Sequence, residues 1–382
     1  MNKKIIKLSK LILSVLNGLI PKKNNRVLFK SVPDYAGNCK ALSDYILKEH
    51  PEYEVVWLYS KYKSDEGRIN WVKKGTFLGY WYVFTSKYIV TTHNEMIGVK
   101  AFNQVYLSLW HGMPLKKVCY LADKEVMLME SFSAKRIATS EIMRSIIASA
   151  FNERVDNVIV TGQPRNDFLF DKKDFDFLSE REYKKIVLFA PTFRQNSYVH
   201  DKTDGAKIEN ANFLRVQDFD LGKLQEFLKL NDVLLLVKLH PFEENALNGI
   251  EFPDNIKIIK SEGFNSHGYD INHLLAISDC LITDYSSIYF DYLILNKPIG
   301  FLIPDCESYI NSRGGFTLEP ISFWMPGEKL SLQCELIDFL NTVLIELKDS
   351  HILNRTQVND ALNTYKDGFN SKRVFDIFIN GR

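Results

Sequence analysis

Two histidines that each follow an apolar run, with cations close by, are the residues in this chain best suited to chemistry. His111 comes after Leu107-Ser-Leu-Trp110 and before Gly112 and a Met-Pro pair, with Lys116 and Lys117 just beyond. That context sets it where a strand gives way to a loop. An imidazole titrates near neutral pH, so at such an edge it can take a proton from a hydroxyl. The competing reading is a structural histidine, the commoner role for one standing alone. His240 lies in Val237-Lys-Leu-His-Pro241, where the proline ends a core strand. A period of two puts Lys238 and His240 on one side of that strand, as a phosphate clamp or as a solvated edge.

The stretch Asp279 to Asp291 reads as a buried strand, Cys280–Ile282, that stops at Thr283-Asp284 and turns into a helix at Ser286-Ser287. Free N–H groups at a helix start attract anions, and either serine hydroxyl could cap the helix or face a phosphate. An ordinary capped turn explains the same residues. Thr161-Gly-Gln-Pro-Arg-Asn-Asp167 is a turn in which Arg165 either holds a phosphate or pairs with Asp167, and Asp167 could also cap the next helix. In Phe189-Ala-Pro-Thr-Phe-Arg194, Arg194 is either a nucleotide contact or a surface cation. Arg313 stands beside paired glycines, which let a backbone approach a ligand closely. The set contains no carboxylate pair and no metal-ligand spacing, so neither a metal nor another cofactor is expected. Two imidazoles, several cations and a helix start suit transfer of a phosphate-bearing group from a nucleotide-activated donor.

Such residues need strands to carry them. Apolar runs at 27–29, 55–59, 88–90, 105–107, 136–138 and 158–160 predict one series of strands. Those at 186–189, 233–239, 256–259, 280–282 and 298–301 predict a second. Helical patterns fall between them, at 39–49, 141–151, 221–230, 271–277 and 287–295. Continuous apolar strands alternating with helices imply α/β architecture: two doubly wound, Rossmann-like domains with parallel sheets covered on both faces. The reading divides the chain into a basic segment at 1–23, a first domain at 24–180, a second at 181–354 and a terminal helical segment at 355–382. There is no G-x-G-x-x-G fingerprint and no P-loop.

The bulk composition supports folded domains: 382 residues, 46% hydrophobic, with 26 Phe and 18 Tyr. A formal net charge of +1 gives no case for nucleic-acid binding. Five scattered cysteines without a C-x-x-C pair point to reduced thiols and a cytoplasmic setting. Residues 1–30 carry eight Lys and Arg and no acid, around the apolar run Leu11–Ile20. That run is too short to span a bilayer. It fits a basic amphipathic helix on an anionic membrane surface, and a helix docked on the protein is the alternative. A signal peptide fits poorly, because no small-x-small cleavage site follows.

The stretches WHGMPLKK at 110–117, TGQPRND at 161–167, APTFR at 190–194, KLHP at 238–241, LITDYSSIYFDYLILNKP at 281–298 and RGGF at 313–316 resemble, in order, the CDP-glycerol glycerophosphotransferases of teichoic-acid and capsule synthesis. Met113 and Gln163 depart from that family's usual Thr and aromatic residue. The resemblance implies a glycosyltransferase-B-like fold with the donor in the cleft. It implies that CDP-glycerol or CDP-ribitol gives its polyol phosphate to a lipid-linked or oligosaccharide acceptor at the inner membrane face, releasing CMP. It makes His111 the base. His240 and Ser286-Ser287 would hold the diphosphate, and Arg194, Lys238, Asp284 and Arg313 would support the donor. Gly112, Lys116, Arg165 and Asp167 would serve the acceptor or the fold. Two other readings stay open: a nucleotide-sugar glycosyltransferase of the same fold, and a membrane-bound assembly component with a degenerate site.

Overall fold

The computed structural model describes residues 3–381, apart from 123–132, 172, 180, 195–207, 308 and 310–314. By contact, the chain divides into two compact units. Residues 1–113, 127–170 and 364–382 form the first, and residues 114–126 and 171–363 the second.

The first unit holds seven strands: β1 (Lys23–Lys30), β2 (Glu54–Tyr59), β3 (Asn70–Lys73), β4 (Ser86–Thr91), β5 (Val105–Ser108), β6 (Lys135–Ala138) and β7 (Val158–Val160). All pair in parallel, in the order β3-β2-β1-β4-β5-β6-β7. The runs are apolar throughout because both faces of the sheet are covered. Val27, Phe29, Val55, Trp57, Val90 and Leu107 pack with Leu42 and Ile46 of the Gly37–Glu49 helix and with Val374 and Phe375 of the Asn370–Phe378 helix. Their strand neighbours Leu28, Val56, Leu58, Ile89 and Tyr106 enter a separate core with Val83 of the Phe77–Thr85 helix. Alternation with period two sends successive side chains to opposite layers.

The second unit holds β8 (Lys185–Phe189), β9 (Val233–Val237), β10 (Ile256–Ile258), β11 (Cys280–Thr283), β12 (Ile299–Leu302) and β13 (Glu328–Leu330). They too are parallel, in the order β10-β9-β8-β11-β12-β13. Val187, Phe189, Leu235, Val237 and Ile282 form its core with Leu224 and Leu228 of the Leu221–Leu230 helix and Leu336 and Leu340 of the Gln333–Leu340 helix. Helix starts follow the side chains: Ser140, Asp220 and Asp270 each accept a backbone N–H of the first turn.

In both sheets the strand order reverses direction at one point, between β1 and β4 and between β8 and β11. Ligands of doubly wound sheets bind beyond the carboxyl ends of the strands at such a point. The sheets therefore single out the loops after β1, β4 and β5 and those after β8, β9 and β11.

Four expectations change. β3, β13 and the aromatic Phe77–Thr85 helix have no counterpart in the sequence reading. The terminal stretch is two helices, Ile352–Leu362 and Asn370–Phe378, separated by a segment containing Asp367-Gly368. β9 stops at Val237, so Lys238 and His240 lie beyond the strand and period two does not govern them. The helix after β11 is five residues long, Ile288–Tyr292, and Ser287 at its start makes no side-chain cap; Ser286 Oγ reaches the Ile288 N–H only at 3.5 Å.

Candidate active site

In the first unit the chemistry gathers at the ends of the neighbouring strands β4 and β5. His111 sits three residues past β5 and is exposed. Its backbone is fixed from two sides. Asn38, fully buried on the Gly37–Glu49 helix, donates its Nδ2 to the carbonyls of Leu109 (3.2 Å) and Trp110 (3.0 Å). Arg165 donates Nη1 to the His111 carbonyl at 2.7 Å, and its own N–H goes to Asn38 Oδ1 at 3.1 Å. Trp110 takes the left-handed conformation, φ 54°, a strained choice that these bonds stabilise. The result packs the indole T-shaped with Phe151 and sets the His111 ring against Trp110, with ring centroids 4.2 Å apart. Gly112 is buried beside it.

Arg165 and Asp167 do not pair with each other in a turn, as one reading of the sequence had them. Asp167 accepts the backbone N–H groups of Asn370 and Ser371, each at 2.8 Å, and so holds the start of the terminal helix. Burial raises its carboxyl above the usual range, although the bonds from Ser371 and Asn370 pull the other way. Gly162 (φ 78°) completes the contact: a Cβ there would fall 1.9 Å from Asn370 Oδ1.

In the second unit, β9, β8 and β11 lie side by side, and their carboxyl ends carry Lys238-Leu-His240, Ala190 to Arg194 and Asp284 to Ser287. His240 is exposed and stacks on Phe193, with centroids 4.7 Å apart, beside Phe242. Its Nδ1 accepts the Phe242 N–H at 3.4 Å. Desolvation, with Lys238 and Lys116 adding, outweighs Glu244 and lowers its pKa. The ring is then neutral at pH 7, with its proton on Nε2, a donor suited to a phosphate oxygen. Lys116 belongs to a strip in which Pro114–Lys117 pairs with Gly315–Thr317: the Leu115 carbonyl accepts the Thr317 N–H at 2.8 Å, and Lys116 bridges to Phe316. Ser286 and Ser287 are half-buried, and Ser287 spends no hydroxyl bond on the helix start.

Three expected donor contacts turn inward. Arg194 is 2% exposed; its Nη2 lies 2.9 Å from Asp284 and 3.2 Å from Asp305, and its guanidinium lies against Tyr285 and Tyr309, two rings stacked on each other. Burial alone would lower its pKa, but Asp284 and Asp305 more than offset it and keep the group charged. Asp284 also accepts the Thr192 N–H at 2.7 Å. Lys238 Nζ donates to Glu244 Oε1 (2.7 Å), Ser261 Oγ (2.6 Å) and the Leu239 carbonyl (3.1 Å). These residues tie the three loops to one another and to the fold. A charge buried this deeply has to be paired, and here the protein supplies the pairs. Arg313 lies outside the described residues. Among the described residues no group of His, Cys, Asp and Glu has metal-site geometry.

Sequence reasoning missed Asn38 and His93. Asn38 gave no signal, being one polar residue in a helix pattern. His93 did: it follows the apolar run Tyr88-Ile-Val90 as His111 follows its own strand.

The sequence matches the profile of the CDP-glycerol:poly(glycerophosphate) glycerophosphotransferases over residues 12–380. It is 28% identical to a teichoic acid poly(glycerol phosphate) polymerase of Bacillus spizizenii, covering 94% of this chain and 93% of that one. It is 27% identical to a teichoic acid glycerol-phosphate transferase of Staphylococcus aureus, covering 93% and 92%. Among solved structures, the wall teichoic acid polymerase TagF superposes with a TM-score of 0.77 at 24% identity, over 99% of this chain and 95% of that one. A UDP-N-acetylglucosamine 2-epimerase superposes with a TM-score of 0.52 at 15% identity, over 94% and 96%. These likenesses extend the paired Rossmann-like units to a glycosyltransferase-B-like fold. With the motif loops in order on the strand ends and the match running almost from end to end, this chain belongs to the CDP-glycerol:poly(glycerophosphate) glycerophosphotransferase family of enzymes.

Proposed function

We propose that this enzyme transfers a polyol phosphate, glycerol phosphate first and ribitol phosphate as the alternative, from its CDP-activated form to a hydroxyl of a lipid-linked or saccharide acceptor in the synthesis of a teichoic-acid-like or capsule polymer. The observation that carries the reading is the convergence of the loops after β9, β8 and β11 at the point where the second sheet reverses its order. The acceptor hydroxyl attacks the phosphorus that bears the polyol. The bond from that phosphorus to the bridging oxygen breaks, and CMP leaves with the electron pair. His111 takes the hydroxyl proton. His240 Nε2–H and the Ser286 and Ser287 hydroxyls face the diphosphate and hold its charge as it moves to the leaving group. Arg194, Lys238 and Asp284 keep these loops in register from beneath.

The same reading sets the enzyme at a membrane surface. No helix among the described residues is long and apolar enough to cross a membrane. The Lys3–Leu19 helix instead presents its apolar side outward: Leu11, Ile12, Val15, Leu16 and Leu19 are exposed. Its polar side faces the protein, where Ser14 Oγ donates to the Lys100 carbonyl (2.5 Å) and Asn17 Nδ2 to the Val99 carbonyl (2.8 Å). An outward apolar face with lysines at its flanks suits the interface of an anionic leaflet.

The test is CMP release from CDP-glycerol and CDP-ribitol with a lipid-linked or oligosaccharide acceptor. His111→Ala is expected to lose on the order of 10²–10⁴-fold in kcat with its circular dichroism unchanged. No CMP with any acceptor and no donor binding would overturn the function. Full activity of His111→Ala would overturn the base.

A further inference from the structure

His93 has no place in the proposed mechanism, yet its ring lies flat on that of His111. The centroids are 4.4 Å apart and the planes 10° from parallel. The neighbouring strands β4 and β5 produce this geometry. Thr91 and Ser108 are register partners at the two strand ends, and His93 and His111 follow them by two and three residues. Leaving adjacent strands at the same level, the two rings stack. Trp110 lies 4.2 Å from His111 and 5.8 Å from His93, so the three rings form one cluster around the candidate base.

His93 is held in place by hydrogen bonds of its own. Thr92 Oγ1 accepts the Val32 N–H at 3.2 Å and lies within hydrogen-bond distance of His93 Nδ1, 2.8 Å away. The His93 backbone N–H is fixed as well, donating to Glu95 Oε2 at 3.1 Å. Desolvation, with Lys30 adding, outweighs Glu95 and lowers the pKa of the half-buried ring, so it stays neutral at the pH at which His111 works. A neutral aromatic face accommodates both the imidazole and the imidazolium that forms when the base takes its proton; a charged one would oppose that step.

We infer that His93 is a positioning residue: its ring face fixes the rotamer of His111 and thereby the direction in which the base meets the acceptor hydroxyl. A base whose ring is turned away from the acceptor hydroxyl loses most of its worth. The inference rests on His111 being the base, so the experiment separates the two. CMP release is measured as kcat and KM for the acceptor in His93→Ala, His93→Phe, His111→Ala and the double variant His93→Ala/His111→Ala. Expected is a loss on the order of tenfold to a hundredfold in kcat for His93→Ala, with KM within about twofold. His93→Phe, which keeps a flat ring, recovers most of that loss. The double variant is no slower than His111→Ala alone, because a residue acting only through the base has nothing left to act on. Equal loss in His93→Phe and His93→Ala, or a double variant slower than His111→Ala by the full His93→Ala factor, overturns the inference. An active His111→Ala overturns the base assignment itself, whatever His93 does.

Discussion

The buried Lys238 gives a quantitative test of how the donor loops are held. In Lys238→Met the side chain keeps its length and loses its charge. Glu244 then loses its closest cationic partner, at 2.7 Å, but keeps the Ser261 N–H and hydroxyl. Removing one partner of a buried pair costs about 3–5 kcal/mol when nothing else compensates. Two remaining donors bring the cost below that range, to about 2–3 kcal/mol at pH 7. The pH dependence follows from Glu244. Burial raises its pKa, but the bonds from Lys238 and Ser261 outweigh burial and hold it below the usual range. A depressed carboxyl contributes stability above its unfolded pKa of about 4.3, and that contribution is lost as the pH falls through the folded value. Without Lys238 the folded value rises, so Glu244 takes up a proton earlier and relieves its own penalty. The gap between variant and wild type should therefore narrow, by about 1 kcal/mol between pH 7 and pH 5.

Urea unfolding at the two pH values measures both quantities, provided the slope m is unchanged. Donor affinity, from titration with CDP-glycerol, should weaken only as far as the 239–244 loop and His240 shift. A stability gap under about 1 kcal/mol, or one that is the same at pH 7 and pH 5, refutes the buried-pair account. A large loss of donor affinity with wild-type stability would restore Lys238 as a direct phosphate contact.

Two further outcomes follow from the first unit. Asp167→Ala removes the acceptor for the Asn370 and Ser371 N–H groups; the expected cost is about 1–2 kcal/mol, read as faster amide exchange in residues 370–378 than in the sheet, and unchanged exchange there would refute the anchoring role. Leu16→Glu with Leu19→Glu should abolish co-sedimentation with anionic vesicles and leave CMP release from a soluble acceptor intact, whereas vesicle binding equal to wild type would remove this helix from the membrane face.

The strands were legible because fully covered parallel sheets need uninterrupted apolar runs, and eleven of the thirteen strands among the described residues have them. β3 and β13 lie at sheet edges, where Asn-Trp-Val-Lys and Glu-Lys-Leu carry polar residues that break the run. The Phe77–Thr85 helix hid for a different reason: its aromatic residues show no clear period, and Phe77, Leu78 and Trp81 are exposed. The site was legible as loops and only partly as contacts. A lysine beyond a strand end can turn outward to a ligand or inward to a carboxylate. Here Glu244 and Ser261 decide the matter, and the second of these comes from another element. Arg194 was ambiguous in the same way until Asp284 and Asp305 flanked it. His93 was within reach, since a histidine after an apolar run is the same pattern that singled out His111; what spacing could not supply was the adjacency of β4 and β5, which turns two such histidines into one stack.

The N-terminal helix shows the same ambiguity resolved in the other direction. An amphipathic pattern gives two faces and does not say which one meets the protein. Ordinary docking buries the apolar face, and here the side chains that hold the helix are polar. Asn17 is 1% exposed and donates to both the Val99 carbonyl and Gln104 Oε1, and Gln104 in turn donates to the Val83 and Ser86 carbonyls. Lys22 ties the same corner by donating to the carbonyls of Asn17 and Phe84. Through this network the helix end is linked to the Phe77–Thr85 helix, whose Phe77 and Trp81 are also exposed. Leaving Leu16 and Leu19 in water forgoes about 1.5–3 kcal/mol per fully buried side chain. A helix that fixes its polar face inward by specific hydrogen bonds and leaves that much apolar surface outside, between lysine-rich flanks, supports the proposed seat on an anionic lipid surface.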